Sequence, residues 1–290
     1  MSFGGADLHC HSTFSDGVDT PAALVLGAVK AGISVLALSD HDALHGLPEF
    51  EAAAKGTGLV TVAATELSTR CDGDDVHLLG LFVDPEEPDL AAKLVQFRKD
   101  RDERGSAMVE RLTAAGLPLD LGEIRATVGN AAFGRPHIAR AMMARGYVQT
   151  FEEAFDRFLT RGKPGYVPKP KWSLPDAIAS VHQAGGVAVI AHPVWYTNPE
   201  KVVTIGKEAG LDGLEVIHID QDGLKESEFA LMADRHDLLP SAGSDYHGPP
   251  EGRKQIGACR LPEEEWKRLV ARAQQRRAEA GRRPVDLSPR

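Results

Sequence analysis

Short apolar runs alternating with helix-like segments constrain this chain more than any other feature of it. "ADLHC", "ISVLALSD", "LVTVAATELS", "VHLLGLFVD", "VAVIAHP", "DGLEVIHI" and "LLPSAGSDYH" are seven strand-length stretches. Between most of them lie segments of helical character: "PAALVLGAVKAG", "LPEFEAAAK", "SLPDAIASVHQAGG", "PEKVVTIGKEAG" and "KESEFALMADRHD". The first of these has Thr20 as a candidate N-cap, Pro21 at the first helical position and Gly32 placed to stop it. Apolar strands separated by helices predict a parallel sheet covered by helices, and seven strands predict a barrel rather than a small open sheet.

One connection breaks the alternation. Only ten residues separate Glu66 from His77, and "TRCDGDD" between them reads as a turn. A parallel crossover needs about a dozen residues or more, so these two strands are expected to pair antiparallel. Residues 85–170 break the pattern differently. "LAAKLVQFRKDRDERGSAMVERLTAAG" and "IARAMMARGYVQTFEEAFDRFL" have amphipathic helical spacing, and the flanks "DPEEPD" and "PGYVPKPKW" are proline-rich. The expected organisation is therefore a barrel from residues 1–84 and 171–290 with a helical subdomain, 85–170, inserted in it. The C-terminal "EEEWKRLVARAQQRRAEAGRRP" is a helix whose basic end complements its dipole, with an RNA-binding tail as the other reading.

Composition narrows the function classes. Apolar residues make up 42% of the 290 and charged ones 26%, as in globular proteins. A net charge of −9 argues against a broad duplex-binding surface, which needs clustered Lys and Arg. Cys10, Cys71 and Cys259 are an odd, widely spaced set without a CxxC pair, so neither a disulfide framework nor a zinc knuckle is expected. No apolar run is long enough to span a membrane, and the first strand begins too early to follow a signal peptide, so the cytoplasm is the expected compartment.

The chemistry-bearing residues fall at strand ends. If "ADLH" is a strand, His9 and His11 project from one face, an arrangement that suits a cation but also fits a chance pair on a wet strand. Asp16 follows five residues later. "SDHD" with His41 ends the second strand, Glu66 the third and His192 the fifth, while Asp245 and His247 follow the seventh. In a parallel barrel the C-terminal strand ends share one rim, where sites are built. His77 begins its strand, but the antiparallel pairing returns it to the same rim. His9, His11, Asp16, His41, Glu66, His77, His192, Asp245 and His247 exceed what one tetrahedral ion requires. A cluster of two or three ions is the natural reading, with Mn, Zn or Fe suited to imidazole and oxygen ligands without thiolate. His45, His182 and His236 have no rim position and read as helix or loop residues.

"DLHCHSTFSDG", "LSDHD", "TELS", "VHLLGL", "IAHP" and "GSDYH" resemble, in order, the motifs of the PHP (polymerase and histidinol phosphatase) family. The resemblance implies a distorted seven-stranded β/α barrel holding up to three metals, Mn foremost, with Zn, Fe or Mg as alternatives. The helical insertion resembles the subgroup of nucleoside 3′,5′-bisphosphate phosphatases that also act on RNA 5′ ends. By that resemblance His9, His11, Glu66 and Asp245 would hold one ion. Glu66 would bridge to a second with His77 and His192, and Asp16, His41 and His247 would take the third.

"FGRPHIAR" puts Arg135 and His137 at a probable helix start, where backbone N–H groups favour anions. Alone it also reads as a capped surface helix; the subgroup resemblance makes both phosphate binders, with Lys169 a weaker candidate. Where some members carry Ser-x-His after the Glu-Val of strand six, this chain has "EVIHIDQD", leaving His218 as a possible substitute and Gln221 without charge. The implied activity is phosphoester hydrolysis by metal-activated hydroxide, with Glu66, His192 and Asp245 as the catalytic set and the general acid left open. The implied substrate is a nucleotide, such as a nucleoside 3′,5′-bisphosphate, or a short single-stranded RNA. Histidinol phosphate hydrolysis and a silent PHP module are the alternatives; the sequence carries nothing on oligomeric state.

Overall fold

A computed structural model of the protein describes residues 3–128, 133–168, 172–248 and 255–290. Seven strands form one sheet in chain order: β1 (Ala6–Asp7), β2 (Val35–Leu38), β3 (Val60–Cys71), β4 (Asp74–Leu81), β5 (Val187–Ile190), β6 (Gly213–His218) and β7 (Leu239–Gly243). Pairing is parallel except around β4, which runs antiparallel to both β3 and β5. The expected antiparallel pair is present, and it is tighter than the sequence suggests. β3 continues to Cys71 and β4 starts at Asp74, so only Asp72 and Gly73, both at positive φ, form the turn. Chain beyond the strands closes the sheet into a nearly complete barrel. Leu8 N–H donates to Ala242 O at 3.0 Å, Asp245 N–H to His9 O at 2.8 Å, and Cys10 bridges to Tyr246.

The apolar strands have both faces buried. On β2, Val35 and Ala37 join the barrel interior with Ala6, Leu8, Val62, Leu79 and Val189. Leu36 and Leu38 point the other way, into a cluster with Leu24, Val25 and Ala28 of α1 (Pro21–Ala31) and with Leu47 and Phe50 of α2 (Leu47–Ala54). The α1 start is capped as expected: the Thr20 side chain accepts from Ala23 N–H, and Gly32 ends the helix at φ 69°. Both burial faces draw on the hydrophobic effect, which is why these strands read as continuous rather than alternating.

The remaining helices are α3 (Pro88–Ala114), α4 (Leu121–Val128), α5 (Arg135–Ala144), α6 (Phe151–Ala154), α7 (Leu174–Gln183), α8 (Pro199–Glu208), α9 (Gly223–Arg235) and α10 (Glu263–Glu279). Trp266, Leu269 and Ala273 of α10 pack into the interior cluster and plug the lower part of the barrel. Two compact units emerge, Met1–Ala92 with Lys171–Arg290, and Lys93–Pro170. The second has its own core, in which Met108, Leu112, Phe133, Ile138, Met142 and Leu159 are buried. Among the described residues, no helix is long and apolar enough to cross a membrane.

Candidate metal centre

The inward rows of the strands change chemistry at one level. On β3 the interior sequence runs Val62, Ala64, Glu66, two residues apart, as strand alternation requires. On β4, reversed, it runs Leu81, Leu79, His77. Apolar side chains fill the barrel below, and ligand-type side chains begin above them. His41 lies beyond the end of β2, where it bridges to Glu66. His192 and Asp245 take positive φ, 27° and 47°, a left-handed backbone that non-glycine residues seldom adopt and that is common at functional sites.

His9 and His11 reach the interior in a different way from the one alternation suggests. Regular pairing of β1 ends at Asp7; Ala6 and Leu8 belong to the interior cluster, whereas Cys10 lies in the outer one. Inward alternation therefore shifts between Leu8 and Cys10, and both imidazoles end up buried, with their Nε2 atoms 3.1 Å apart. Glycine makes room for this. A methyl group at Gly243 would lie 2.1 Å from the His9 Cβ.

Glu66 is the centre of the arrangement. Its Oε1 is 2.7 Å from His77 Nδ1 and 2.9 Å from His192 Nε2. Its Oε2 is 3.0 Å from His41 Nδ1, 3.2 Å from His11 Nε2 and 3.3 Å from His9 Nε2. Asp245 Oδ1 lies 3.2 Å from His11 Nε2 and 3.4 Å from His9 Nε2. Asp16 Oδ1 lies 3.2 Å from His247 Nε2, and its Oδ2 3.6 Å from His41 Nε2. All nine candidates meet in one cluster.

Three sets within it present ligand atoms close enough to share an ion: His9, His11, Glu66 and Asp245; His41, Glu66 and His77; and His11, Asp16, His41 and His247. The first is the set implied by the family resemblance. The second places His41 with Glu66 and His77, while His192 reaches the same Glu66 oxygen; the third gains His11.

Burial opposes charge on these groups, and their neighbours overcome it. Glu66 is held well below the ordinary carboxylate range by His41, His77 and His9, and Asp245 likewise by His247 and His9. Glu215, Glu66 and Asp245 raise His9 well above the usual imidazole value, and Asp16 with Asp245 raise His247 to about 10. For His192 burial prevails and lowers the pKa. The donor set fits divalent cations. It offers imidazoles and carboxylates without thiolate, and cation binding there displaces imidazole protons. His11 Nδ1 and His192 Nδ1 are buried without a hydrogen-bond partner, an arrangement that is costly unless something else engages such atoms.

A ring of supporting carboxylates surrounds the cluster, and sequence reasoning missed it. Asp40 accepts from Ser12 N–H and Oγ–H, both at 2.7 Å, and from Ser15 Oγ–H at 2.6 Å, fixing the loop that carries His11 and Asp16. Asp7 accepts from Ser244 N–H, beside Asp245, and Asp42 from Ser68 N–H. Glu215 has the widest reach. Its Oε1 meets His9 Nδ1 at 3.0 Å and its Oε2 accepts from His192 N–H at 2.7 Å, so one carboxylate orients ligands on two distant strands. A register shift in β6 between Glu215 and Ile217 explains how Glu215 and His218 both face inward despite their odd spacing. Asp7, Asp40 and Asp42 stand within two residues of a cluster histidine along the chain, whereas Glu215 carries no such signal.

His218 sits against Asp245, its Nε2 3.6 Å from Oδ2, and its Nδ1 accepts from Asp220 N–H. Gln221 is buried, with its amide on Glu215 O at 3.4 Å. In the helical unit, Arg135 lies over the Phe155 ring at 5.5 Å, and His137 Nδ1 accepts from Gly134 N–H at 3.2 Å, closing the start of α5. Lys169 lies outside the described residues. His182 pairs with Asp212 and His236 with Glu200, in structural roles away from the rim.

The sequence and fold of this chain have counterparts among known proteins. A 3′,5′-nucleoside bisphosphate phosphatase of Chromobacterium violaceum is 40% identical over 257 residues, covering 87% of this chain and 90% of its own. A 5′-3′ exoribonuclease of Haemophilus influenzae is 38% identical, covering 84% and 90%. A solved C. violaceum structure described as an amidohydrolase with bound sulfate superposes with a TM-score of 0.86 at 38% identity, over 92% of this chain and 96% of that one. The PHP domain model matches residues 7–159, from the strand leading to His9 and His11 into the helical unit. Fold, rim and relatives agree, and the chain belongs to the PHP family of metal-dependent phosphoesterases.

Proposed function

We propose that this chain is a metal-dependent phosphatase that removes the 3′-phosphate of nucleoside 3′,5′-bisphosphates and also shortens short single-stranded RNA from its 5′ end. The observation that carries the reading is Glu66, whose Oε1 faces His77 and whose Oε2 faces His9 and His11, imidazoles of two different candidate ion sets. Names of the relatives that align over most of the chain support the substrate class. On this reading residues 1–84 and 171–290 are the hydrolytic barrel, and residues 85–170 the substrate-binding subdomain. Three buried, unpaired cysteines fit a reducing cytoplasm.

Bound divalent cations, two or three with Mn foremost and Zn, Fe or Mg as alternatives, would supply Lewis acidity, lowering the pKa of a water and neutralising phosphoryl oxygens. The chain's own residues do the rest. Glu66 spans neighbouring ion sets, and His9, His11 and Asp245 define the innermost one. Glu215 holds His9 through Nδ1 and leaves Nε2 turned toward Glu66 and Asp245. His218 Nδ1 accepts from Asp220 N–H, which turns its Nε2 toward Asp245. On this reading Glu66, His192 and Asp245 are the catalytic set that would face the reacting phosphoryl group. Arg135, His137 and Lys169 are proposed for the substrate's other phosphate. Arg135 lies over the Phe155 ring, and a guanidinium is the side chain suited to bidentate phosphate binding.

The test is phosphate release by Mn-loaded protein from adenosine 3′,5′-bisphosphate and, in parallel, from histidinol phosphate. Faster turnover of the bisphosphate is expected. Preference for histidinol phosphate would replace this reading with the alternative, and inactivity on both with intact metal would indicate a silent module.

A further inference from the structure

Of the chain's three tryptophans, Trp172 and Trp266 are buried, at 5% and 9% exposure, while Trp195 is 52% exposed. Trp195 closes the short 3-10 turn Pro193–Trp195 that follows His192. Its ring lies 4.0 Å from the His192 ring, tilted by 32°, and stands nearly perpendicular to His218 at 5.7 Å. A half-exposed indole on solvent is an unfavourable use of large apolar surface, yet here it is fixed beside a ligand of the metal cluster. The adjoining turn is held firmly: Tyr196 OH donates to Ala191 O at 2.7 Å and accepts from His77 N–H at 3.0 Å. The aromatic surface is therefore pre-positioned rather than loose.

Resting on the phosphatase reading above, we propose that Trp195 is the stacking platform for the substrate's nucleobase. The cluster engages phosphate and the neighbouring polar groups engage ligands, so the hydrolytic centre has no preference of its own between a nucleotide and a base-free sugar phosphate. His192 Nε2 is 2.9 Å from Glu66, and the indole packs on the same imidazole, so it lies within the span of one nucleoside from a phosphoryl group at the cluster. Stacking accepts any base, since each has a π face, and purines with their larger surface are favoured.

The experiment uses Mn-loaded full-length protein and its Trp195→Phe and Trp195→Ala variants. Adenosine 5′-monophosphate should quench the indole fluorescence saturably in the wild type, while ribose 5-phosphate should not, and Trp195→Phe should abolish the quenching. The wild type should favour adenosine 3′,5′-bisphosphate over the base-free ribose bisphosphate by about tenfold in kcat/KM, the scale of one base–aromatic stack. Trp195→Ala should erase that preference and Trp195→Phe should keep part of it. Equal turnover with and without the base in the wild type would overturn the platform while leaving the phosphatase reading intact. Base-specific quenching without bisphosphate hydrolysis would do the reverse. Loss of bound Mn in Trp195→Phe would also overturn the proposal, by reducing the indole to a cover for His192.

Discussion

Glu66 at the upper rim and Asp212 at the lower end of the same barrel are both buried carboxylates, at 1% and 2% exposure, and their partners differ in kind. Asp212 accepts from Arg276 Nη2–H at 2.7 Å, Arg272 Nη1–H at 2.8 Å and Ala188 N–H at 3.0 Å, with His182 Nε2 at 2.9 Å. Burial opposes its charge, but His182, Arg276 and the backbone N–H bring its pKa down to about 2. Among the described residues, Glu66 faces five imidazoles and no guanidinium. An arginine cannot release its proton, so the Asp212 site is a finished staple joining α10 to the base of β6. Imidazoles can exchange protons for a cation, so the Glu66 site is chemically open. A buried carboxylate alone says little; the titratability of its partners separates support from function.

Four substitutions probe this contrast. Glu66→Gln should give the largest effect, a loss of more than ~10²-fold in kcat, because an amide cannot bridge two cations as a carboxylate does. Near-normal turnover would place Glu66 in the same structural class as Asp212. Arg135→Ala should cut kcat/KM for a bisphosphate by roughly 10²-fold while leaving metal content intact, with a smaller loss on a monophosphate. Equal losses on the two substrates would assign Arg135 to the reacting phosphoryl group.

Glu215→Gln retains only one acceptor for the two donors that the carboxylate now satisfies, His9 Nδ1–H and His192 N–H. Mn affinity should fall by about 10- to 100-fold, with the melting temperature changing little in the metal-free protein. Unchanged Mn affinity would reduce Glu215 to a core residue.

Asp212→Asn should leave turnover unaltered and lower stability. A carboxyl moved from 3.8 to about 2 contributes about 2 kcal/mol of folding free energy at neutral pH. Because the folded value is depressed, that contribution is complete above the unfolded value and fades as pH falls toward the folded one. The urea-midpoint advantage of wild type over Asp212→Asn should be roughly halved at pH 3 relative to pH 7. An advantage independent of pH across that range would show that the ion pairs contribute no linkage.

The same contrast marks what could be read from the sequence. The barrel was legible because its strands are apolar on both faces, and the antiparallel pair because ten residues cannot complete a crossover. All nine cluster residues were legible because His, Asp and Glu recur at or just beyond the expected strand ends, although Glu66 and His77 lie inside β3 and β4, whose hairpin continues to Cys71 and Asp74. Glu215 was not, since its inward orientation together with His218 depends on a register shift that leaves no mark in the residues themselves. Asp40 escaped for a related reason: it stands next to His41, and alternation assigns it to the outward face, where its serine partners come from a loop 25 residues or more away. The shift between Leu8 and Cys10 also escaped, although His9 and His11 were placed correctly, because a regular strand and the shifted one both bring the pair together.

A rim that holds a cluster and not a single ion can be distinguished by counting metal. Elemental analysis of desalted protein after Mn reconstitution, with Glu66→Gln in parallel, tests it most directly. Two or three Mn per wild-type chain and fewer in the variant are expected. At most one tightly held ion in the wild type, or equal stoichiometry in both proteins, would contradict it.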